Sequence, residues 1–337
     1  MCKEPIPKDN NFRKISVAYR IERYKMRKEE RTSYLLSMII PVYNAQNALR
    51  LLVESICLEP DERLEIILIN DGSTDNSLDV AEKYRMFLPN LNVIDQSNHG
   101  APYARNAGLH RARGKYLWFF DADDILGAHV VPCLLNLLKD SDADLIIGNM
   151  KFVDEKGRGR VRVPVFDDCL TDHVHPAFFW DSFPGNKIYR RRVIQKNGIF
   201  WSDVQIHQDL NFYLKFLPFC ERIQYVSNVL YAHVEHTTGS ISASCGAKIV
   251  DAVRAVGYVS NFYRKKGLAA CFDKELEYNL VKHILIQAEK FPRMNLAVRL
   301  YAWLYFRGTL KRTPYQQNPY LSGQDKRRLE QFIRLGF

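Results

Sequence analysis

An apolar run that ends in three carboxylates constrains the fold of this chain more than any other stretch. Residues Tyr116 to Phe120 are uninterrupted aromatic and aliphatic, and Asp121, Asp123 and Asp124 follow at once. A short apolar run without alternation is typical of a strand that is buried on both faces. The acids then lie at its carboxyl end, where open α/β sheets bind ligands. Clustered carboxylates there indicate a cation and a phosphorylated ligand, with a solvated acidic turn as the alternative.

Three units of strand, loop and helix precede this stretch. Apolar segments predict strands over residues 35–41, 64–70 and 93–94, and apolar positions recur at helical spacing after each of them. Such a series folds as a parallel, doubly wound α/β sheet with right-handed crossovers and helices on both faces. The loops at 41–44, 71–77 and 121–124 should therefore share one edge of the sheet and line one crevice.

The remainder of the chain changes character twice. After a helix over 130–138 and a strand over 144–148, residues 150–185 are irregular, with alternating valines at 161–165 as a hairpin arm. We expect a helix in the middle of 186–200, another from residue 208 and a strand over 222–231. The pattern is helical from 247 to 306. This predicts an arm over 1–34, an α/β domain over 35–245 and a helical C-terminal region over 246–337.

Charge is placed at the two ends of the chain. Residues 1–31 hold 10 Lys/Arg against 5 Asp/Glu, and residues 293–337 hold 9 against 2, within a net charge of +10. Basic ends suggest docking on an anionic surface, and a solubilising charge excess is the alternative. Seven scattered cysteines without a Cys-x-x-Cys pair, and the absence of an apolar leader or a spanning segment, favour a cytoplasmic protein.

Two common phosphate-binding motifs are absent from the sequence. No Gly-x-Gly-x-x-Gly follows the first strand, and no Walker A loop is present anywhere in the chain. A dinucleotide-binding domain and a P-loop enzyme are therefore excluded.

Four segments resemble, in order and spacing, the motifs of the family 2 glycosyltransferases of the GT-A fold. They are SMIIPVYN at 37–44, INDGSTD at 69–75, NHGAPYARNAG at 98–108 and FFDADD at 119–124. NKIYRR at 186–191 and QDLNF at 208–212 are similar to later landmarks of the family. The resemblance divides the α/β domain into a nucleotide-binding half, 35–126, and an acceptor half, 127–245.

The resemblance implies an inverting transfer of a sugar from a nucleotide diphosphate sugar to a hydroxyl of a glycan or glycolipid acceptor. Surface polysaccharide or lipopolysaccharide synthesis is the implied setting, with the basic ends touching the cytoplasmic face of the inner membrane. The leaving diphosphate gains negative charge, so a divalent cation, Mn²⁺ or Mg²⁺, would lower the barrier. No nucleic-acid partner is expected.

The resemblance also assigns roles to residues. Asp209 becomes the base that deprotonates the acceptor, Asp123 the metal ligand and Asp121 the ligand of the ribose hydroxyls. Asp71 would accept from a ring N–H of the base, which suits uracil and hence a UDP-sugar. The other candidates are Pro41, Tyr43, Asn44 and Arg105 at the nucleotide, His233 at the metal with His236 as the alternative, and Trp180, Asn186 and Lys187 on the acceptor side.

One departure keeps other functions open. The family has a Glu-Asp pair at the start of the base helix, and this chain has Gln208-Asp209. A sugar-nucleotide-binding protein without catalysis is therefore an alternative. A nucleotidyltransferase is a weaker one, because it would need a basic, glycine-rich loop where this chain has residues 41–44.

Overall fold

The computed structural model describes residues 34–154, 158–162, 169–171, 175–204, 206–235 and 247–335. All but the last residue of the predicted basic arm lies outside these residues, as do Val163, Val165 and His236.

A single mixed sheet organises the α/β domain. Its central path runs β3-β2-β1-β4-β9-β6-β10-β5, with β7 paired to β6 and β8 paired to β10. The strands are β1 (Leu36–Val42), β2 (Leu64–Asp71), β3 (Leu91–Gln96), β4 (Tyr116–Phe119), β5 (Ile125–Leu126), β6 (Leu145–Val153), β7 (Gly159–Arg162), β8 (Cys169–Thr171), β9 (Lys187–Arg190) and β10 (Ile223–Val234).

Helices flank this sheet and form the C-terminal region. They are α1 (Gln46–Leu58), α2 (Ser77–Tyr84), α3 (Ala101–Arg111), α4 (Val130–Asp140), α5 (Arg191–Asn197), α6 (Gln208–Phe216), α7 (Asp251–Lys266), α8 (Ala269–Ala288), α9 (Leu296–Leu310) and α10 (Gly323–Leu335). The predicted α/β class, with a doubly wound, mainly parallel sheet and a helical C-terminal region, is confirmed.

The central strands are buried on both faces, as their unbroken apolar runs predict. Along β1, Met38 and Ile40 enter the core on one side of the sheet, and Ile39 enters the core on the other. Because successive side chains of a strand point to opposite faces, both cores must be covered by helices. The parallel strands β1, β2, β3 and β4 then bring their carboxyl ends to one edge.

The acceptor half departs from the sequence expectation at β9. Residues 191–197 form the expected helix, but Lys187–Arg190 is a strand that runs antiparallel between β4 and β6. This insertion separates β4 from the parallel pair of β6 and β10. It also brings the start of β9 close to the edge that carries the acidic loop.

The C-terminal helices share a third hydrophobic core. Residues from the turn before α7 and from α8, α9 and α10 meet there, including Val250, Ile284, Phe306 and Leu329. Among the described helices, none is both long and apolar enough to cross a membrane.

The close approach of α3 to the sheet depends on a glycine. A Cβ on Gly108 would lie 2.4 Å from Ile39 Cγ2 and 2.9 Å from Ile69 Cδ1. We expect Gly108→Ala to lower the free energy of unfolding by about 1–3 kcal/mol through overpacking. Gly257→Ala in α7 is the matched control, because nothing lies within 4 Å of its added Cβ. It should raise stability by about 0.5–1 kcal/mol. Urea denaturation measures the free energy of unfolding of both variants. If Gly108→Ala were stabilised as Gly257→Ala is, the close packing at Gly108 would be contradicted.

Candidate active site

A buried guanidinium joins the nucleotide-binding half of the α/β domain to the acceptor half. Arg105 on α3 donates from one terminal nitrogen to Asp121 Oδ1 at 2.6 Å and from the other to Gln208 Oε1 at 2.7 Å. The second nitrogen lies 3.7 Å from Asp209 Oδ1, and the guanidinium carbon is 4.5 Å from the centre of the Trp201 ring. Burial disfavours the charged form of Arg105, but the negative charges of Asp121 and Asp209 favour it more strongly. The pKa of Arg105 is therefore raised. The arginine therefore ties the acidic loop to the start of α6.

Asp209 has the environment of a proton acceptor. Its side chain is 32% exposed, while Oδ1 is buried without a hydrogen-bond partner among the described residues. Burial raises the pKa of Asp209 to about 6, with Asp121 adding to the shift and Arg105 and Lys187 opposing it. The carboxylate is thus ionised at neutral pH, yet its pKa is close enough to that pH to take up a proton.

His207, the residue before α6, is anchored to the C-terminal region. His207 has a left-handed backbone, with φ of 64°, and its Nε2 accepts from the Gln287 amide of α8 at 2.9 Å. Its ring also packs at 4.9 Å against that of His283. Burial is the main cause that lowers the pKa of His207 to about 3 and that of His283 to about 4. An unprotonated His207 is what this hydrogen bond requires.

The three acids after β4 have three different environments. Asp121 is paired with Arg105, Asp123 is exposed, and Asp124 is buried. The oxygen Oδ1 of Asp124 lies 2.8 Å from His233 Nδ1 and accepts from the backbone of Val234 at 3.3 Å. Burial raises the pKa of Asp124 to about 7. Asp124, which the sequence assigned to no chemistry, therefore holds His233.

His233 can reach a ligand only through its other nitrogen. Its ring packs 5.8 Å from that of Phe152 and 5.4 Å from that of Phe183, and Nδ1 faces Asp124. Burial lowers the pKa of His233, but the hydrogen bond to Asp124 outweighs this and the pKa is raised. Its predicted role as a metal ligand would use Nε2.

The residues of the acidic loop suit a cation that is shared with a diphosphate. The described part of the chain contains no cluster of three or more His, Cys, Asp or Glu side chains able to hold a metal. Magnesium in nucleotide sites commonly takes one or two carboxylates from the protein and its other oxygens from phosphates and water. The exposed carboxylate of Asp123 fits that arrangement.

Hydrogen bonds join the two loops, 41–44 and 71–77, that the sequence predicts to contact the base. Asn44, with φ of 49°, donates its N–H to Ser73 Oγ at 3.0 Å, and its Oδ1 accepts from Thr74 N at 2.8 Å. Tyr43 beside it is 53% exposed, and Pro41 is half-buried in β1. Two of the three predicted loops therefore meet at the edge of the sheet.

Asp71 joins the end of β2 to the end of β3 and to the loop that follows it. Its Oδ1 accepts from Gln96 Nε2 at 2.8 Å and from His99 N at 3.0 Å, and its Oδ2 accepts from Gly100 N at 2.7 Å. The carboxylate thus fixes the loop that enters α3. Recognition of a base by Asp71 would have to use its remaining acceptor capacity.

The candidates on the acceptor side lie mostly inside the protein. Lys187 is fully buried, and its ammonium donates to Asn186 Oδ1 at 2.7 Å and to the Phe183 carbonyl at 3.0 Å. Asn186 is 2% exposed and donates to the Gly148 carbonyl, while Trp180 is half-buried. The positive charge of Lys187 lowers the pKa of Asp209, so this lysine affects that carboxylate from inside the protein.

Comparison with known proteins identifies the family of the α/β domain. The sequence profile described as "Glycosyl transferase family 2" matches residues 37–198. The chain belongs to glycosyl transferase family 2. The uncharacterized glycosyltransferase YibD of Escherichia coli K12 is 34% identical over 213 residues, which cover 60% of this chain and 62% of that protein.

Two further similarities bear on the family 2 assignment. The poly(ribitol-phosphate) beta-glucosyltransferase of Bacillus spizizenii is 34% identical over 191 residues, covering 53% of this chain and 30% of that protein. Both of these relatives are thus matched over less than two thirds of their own length. The crystal structure of S. aureus TarS 1-349 in complex with UDP-GlcNAc has a TM-score of 0.75 at 22% identity, over 90% of this chain and 88% of that one. This last likeness confirms the GT-A fold.

Sequence reasoning missed several residues of this family 2 site. Trp201 beneath Arg105, the His207 anchor on Gln287 and the partnership of Asp124 with His233 carry no motif signal. Gln208 departs from the family motif, but no sequence signal indicates its hydrogen bond to Arg105.

The two low-pKa histidines predict a dependence of stability on pH. The pKa of each is below the ordinary 6.5 in the folded chain, so unfolding takes up protons below that pH. Stability should therefore fall as pH decreases from 7 to 5, by about 1–2 kcal/mol per histidine. The double variant His207→Asn/His283→Gln should lose this part of the slope in denaturant titrations. His110→Gln is the control, and an unchanged slope in the double variant would contradict the burial of these rings.

Proposed function

We propose that this chain transfers a sugar from a UDP-sugar to a hydroxyl of a surface glycan or glycolipid acceptor, with inversion in a single displacement. The observation that carries the proposal is Asp209, whose buried Oδ1 has no hydrogen bond to the described residues and lies 3.7 Å from Arg105, which pairs with Asp121. A base in this position would lie beside the acidic loop, at the edge of the sheet where the parallel strands end. Inversion needs such a base on the side opposite the leaving group.

The nucleotide-binding half would receive the donor. Tyr43 supplies an exposed ring for the base, and Asn44 and Asp71 hold the loops around it. A carboxylate that accepts from a base suits the imide N–H of uracil, and TarS, which shares the fold, was crystallised with UDP-GlcNAc. Asp121, oriented by Arg105, would hold the ribose hydroxyls.

Asp123 and the Nε2 of His233 would hold Mn²⁺ or Mg²⁺ together with the diphosphate. When bound, the cation would neutralise charge on the departing diphosphate. The protein's own part is to orient the acceptor hydroxyl and to take its proton on Asp209. Arg105 keeps that carboxylate ionised, because its positive charge lowers the pKa that burial raises.

The acceptor would be a growing surface polymer or its lipid-linked precursor. A relative of 34% identity is named as a poly(ribitol-phosphate) beta-glucosyltransferase, so its acceptor is a polymer. The donated sugar would be a hexose or an N-acetylhexosamine. We place the enzyme at the cytoplasmic face of the membrane, with its basic ends in peripheral contact with anionic lipid.

UDP release from candidate UDP-sugars, with Mn²⁺ and the acceptor present, tests the site. Asp209→Asn should lower turnover by about 10²–10⁴-fold, because it removes the general base, while UDP binding by calorimetry is retained. Asp123→Ala should weaken Mn²⁺-dependent UDP binding. Asp203→Asn, an exposed aspartate just before α6, is the matched control and should keep full turnover.

Other outcomes of that assay would support the competing functions. Full turnover in Asp209→Asn and Asp123→Ala would show that the site is wrongly assigned. Tight UDP binding by the wild type without transfer or donor hydrolysis would indicate a binding protein. Release of pyrophosphate from a nucleoside triphosphate and a sugar phosphate would indicate a nucleotidyltransferase.

The pKa of Asp209 predicts the acid limb of the rate profile. Turnover over KM should fall below a pH of about 6, where Asp209 becomes protonated. Arg105→Gln removes the positive charge that lowers this pKa, so the limb should move to higher pH, whatever the loss in rate. Arg105→Lys retains the charge and should leave the limb near its wild-type position. A limb that is the same in all three proteins would exclude Asp209 as its source.

A further inference from the structure

Helix α9 carries apolar side chains on its outer face. Leu296, Leu300 and Leu304 follow one another at intervals of four residues and are 63%, 43% and 53% exposed. Tyr301 beside them is 43% exposed. Residues four apart lie one above another on a helix, so these side chains form a continuous stripe, which we call the leucine stripe. No described element covers it.

The opposite face of α9 is already used. Ala302, Phe306 and Leu310 are buried in the third core against α8 and α10. The helix is therefore fixed to the domain by one apolar face while it presents a second one outward. A stripe of this kind is not needed for folding, and contiguous exposed apolar surface commonly marks an interaction site.

The charge around the leucine stripe is positive. Arg307 and Lys311 continue the same helical face by one and two further turns, and Arg293 and Arg312 are exposed near its two ends. The guanidinium of Arg307 stacks at 4.9 Å on the ring of Trp303. Residues 293–337 contain 9 Lys/Arg against 2 Asp/Glu. Apolar residues flanked by basic ones are the composition of helices that lie in a membrane interface.

We propose that the leucine stripe of α9 docks this protein on a lipid bilayer with anionic headgroups. The helix would lie along the surface with its leucines among the headgroups, and Arg293, Lys311 and Arg312 would contact lipid phosphates. Tyr301, which is 43% exposed, is an amphipathic aromatic residue of the kind that favours this depth. The inference rests on the proposed function, since a lipid-linked acceptor would be found at that surface.

The charge distribution favours lipid over the two other occupants of the stripe. A symmetric contact between two copies would bring the same basic region of each chain together, and like charges repel. The N-terminal arm has 10 Lys/Arg against 5 Asp/Glu over residues 1–31, so it too would add like charge. An anionic membrane complements both basic ends at once.

Co-sedimentation of the full chain with vesicles tests the proposal. The wild type should bind vesicles of equal parts phosphatidylglycerol and phosphatidylcholine, and should bind pure phosphatidylcholine at least tenfold more weakly. Leu296→Ser/Leu300→Ser/Leu304→Ser should weaken binding to the anionic vesicles at least tenfold. Each of Arg293→Gln, Lys311→Gln and Arg312→Gln should weaken it by about fivefold.

The matched control is Leu51→Ser/Leu58→Ser on α1, where the two leucines are 62% and 68% exposed and the neighbouring charges are mixed, with Arg50 3.9 Å from Glu54. It should bind vesicles as the wild type does, and melting curves should show that all variants fold. Unchanged vesicle binding in the triple leucine variant would overturn the proposal. So would light scattering that shows a wild-type oligomer which the same variant dissolves, because the stripe would then join copies of this chain.

The result can be separated from the proposed activity. The triple leucine variant should retain donor hydrolysis in solution, because the stripe is outside the crevice. Asp209→Asn should bind vesicles normally. Loss of vesicle binding together with intact hydrolysis supports docking alone, whereas absent hydrolysis in the wild type would reject the activity and leave the docking result standing.

Discussion

The site depends on the burial of one guanidinium. Removing a charged group from water costs several kcal/mol unless partners compensate, and Arg105 finds them on two elements, at Asp121 and at the start of α6. The compensation works in both directions, because Asp121 and Asp209 would otherwise face each other as like charges. The acidic loop, which would hold the nucleotide, and helix α6, which would supply the base, are therefore coupled electrostatically through Arg105.

The nucleotide-binding half was predictable because its signals are local. Apolar runs such as Tyr116 to Phe120 identify buried strands, and parallel order then places their loops on one edge. Strand β9 was missed because Lys187–Arg190 is too short and too polar for periodicity to separate a strand from the helix that follows. Asp124 meets His233 across 109 positions of sequence, a distance over which no pattern reports a contact. The motif that contains Asp209 can be recognised in the sequence, but the burial of this side chain and its raised pKa cannot.

The C-terminal region was predicted as helical, but not its attachment to the site. Gln287 of α8 is 2% exposed and reaches back to His207, the residue directly before Gln208 and Asp209. A left-handed residue at the start of a helix has few ways to adjust, so fixing His207 fixes the direction in which α6 begins. The same helical region packs α9 with one face inward. The C-terminal region therefore supports the start of α6 and also presents the exposed leucines of α9.

Gln208 replaces the acid of the family motif but keeps a hydrogen bond to Arg105. The amide oxygen still accepts from Arg105 at 2.7 Å, so the arginine retains a neutral partner there. An acid in its place would add another negative charge beside Asp209, and a like charge raises a pKa. The pKa of Asp209 is already raised to about 6 by burial and by Asp121. Further elevation would leave more of the base protonated at neutral pH. The amide thus preserves the hydrogen bond and leaves Asp209 able to accept a proton.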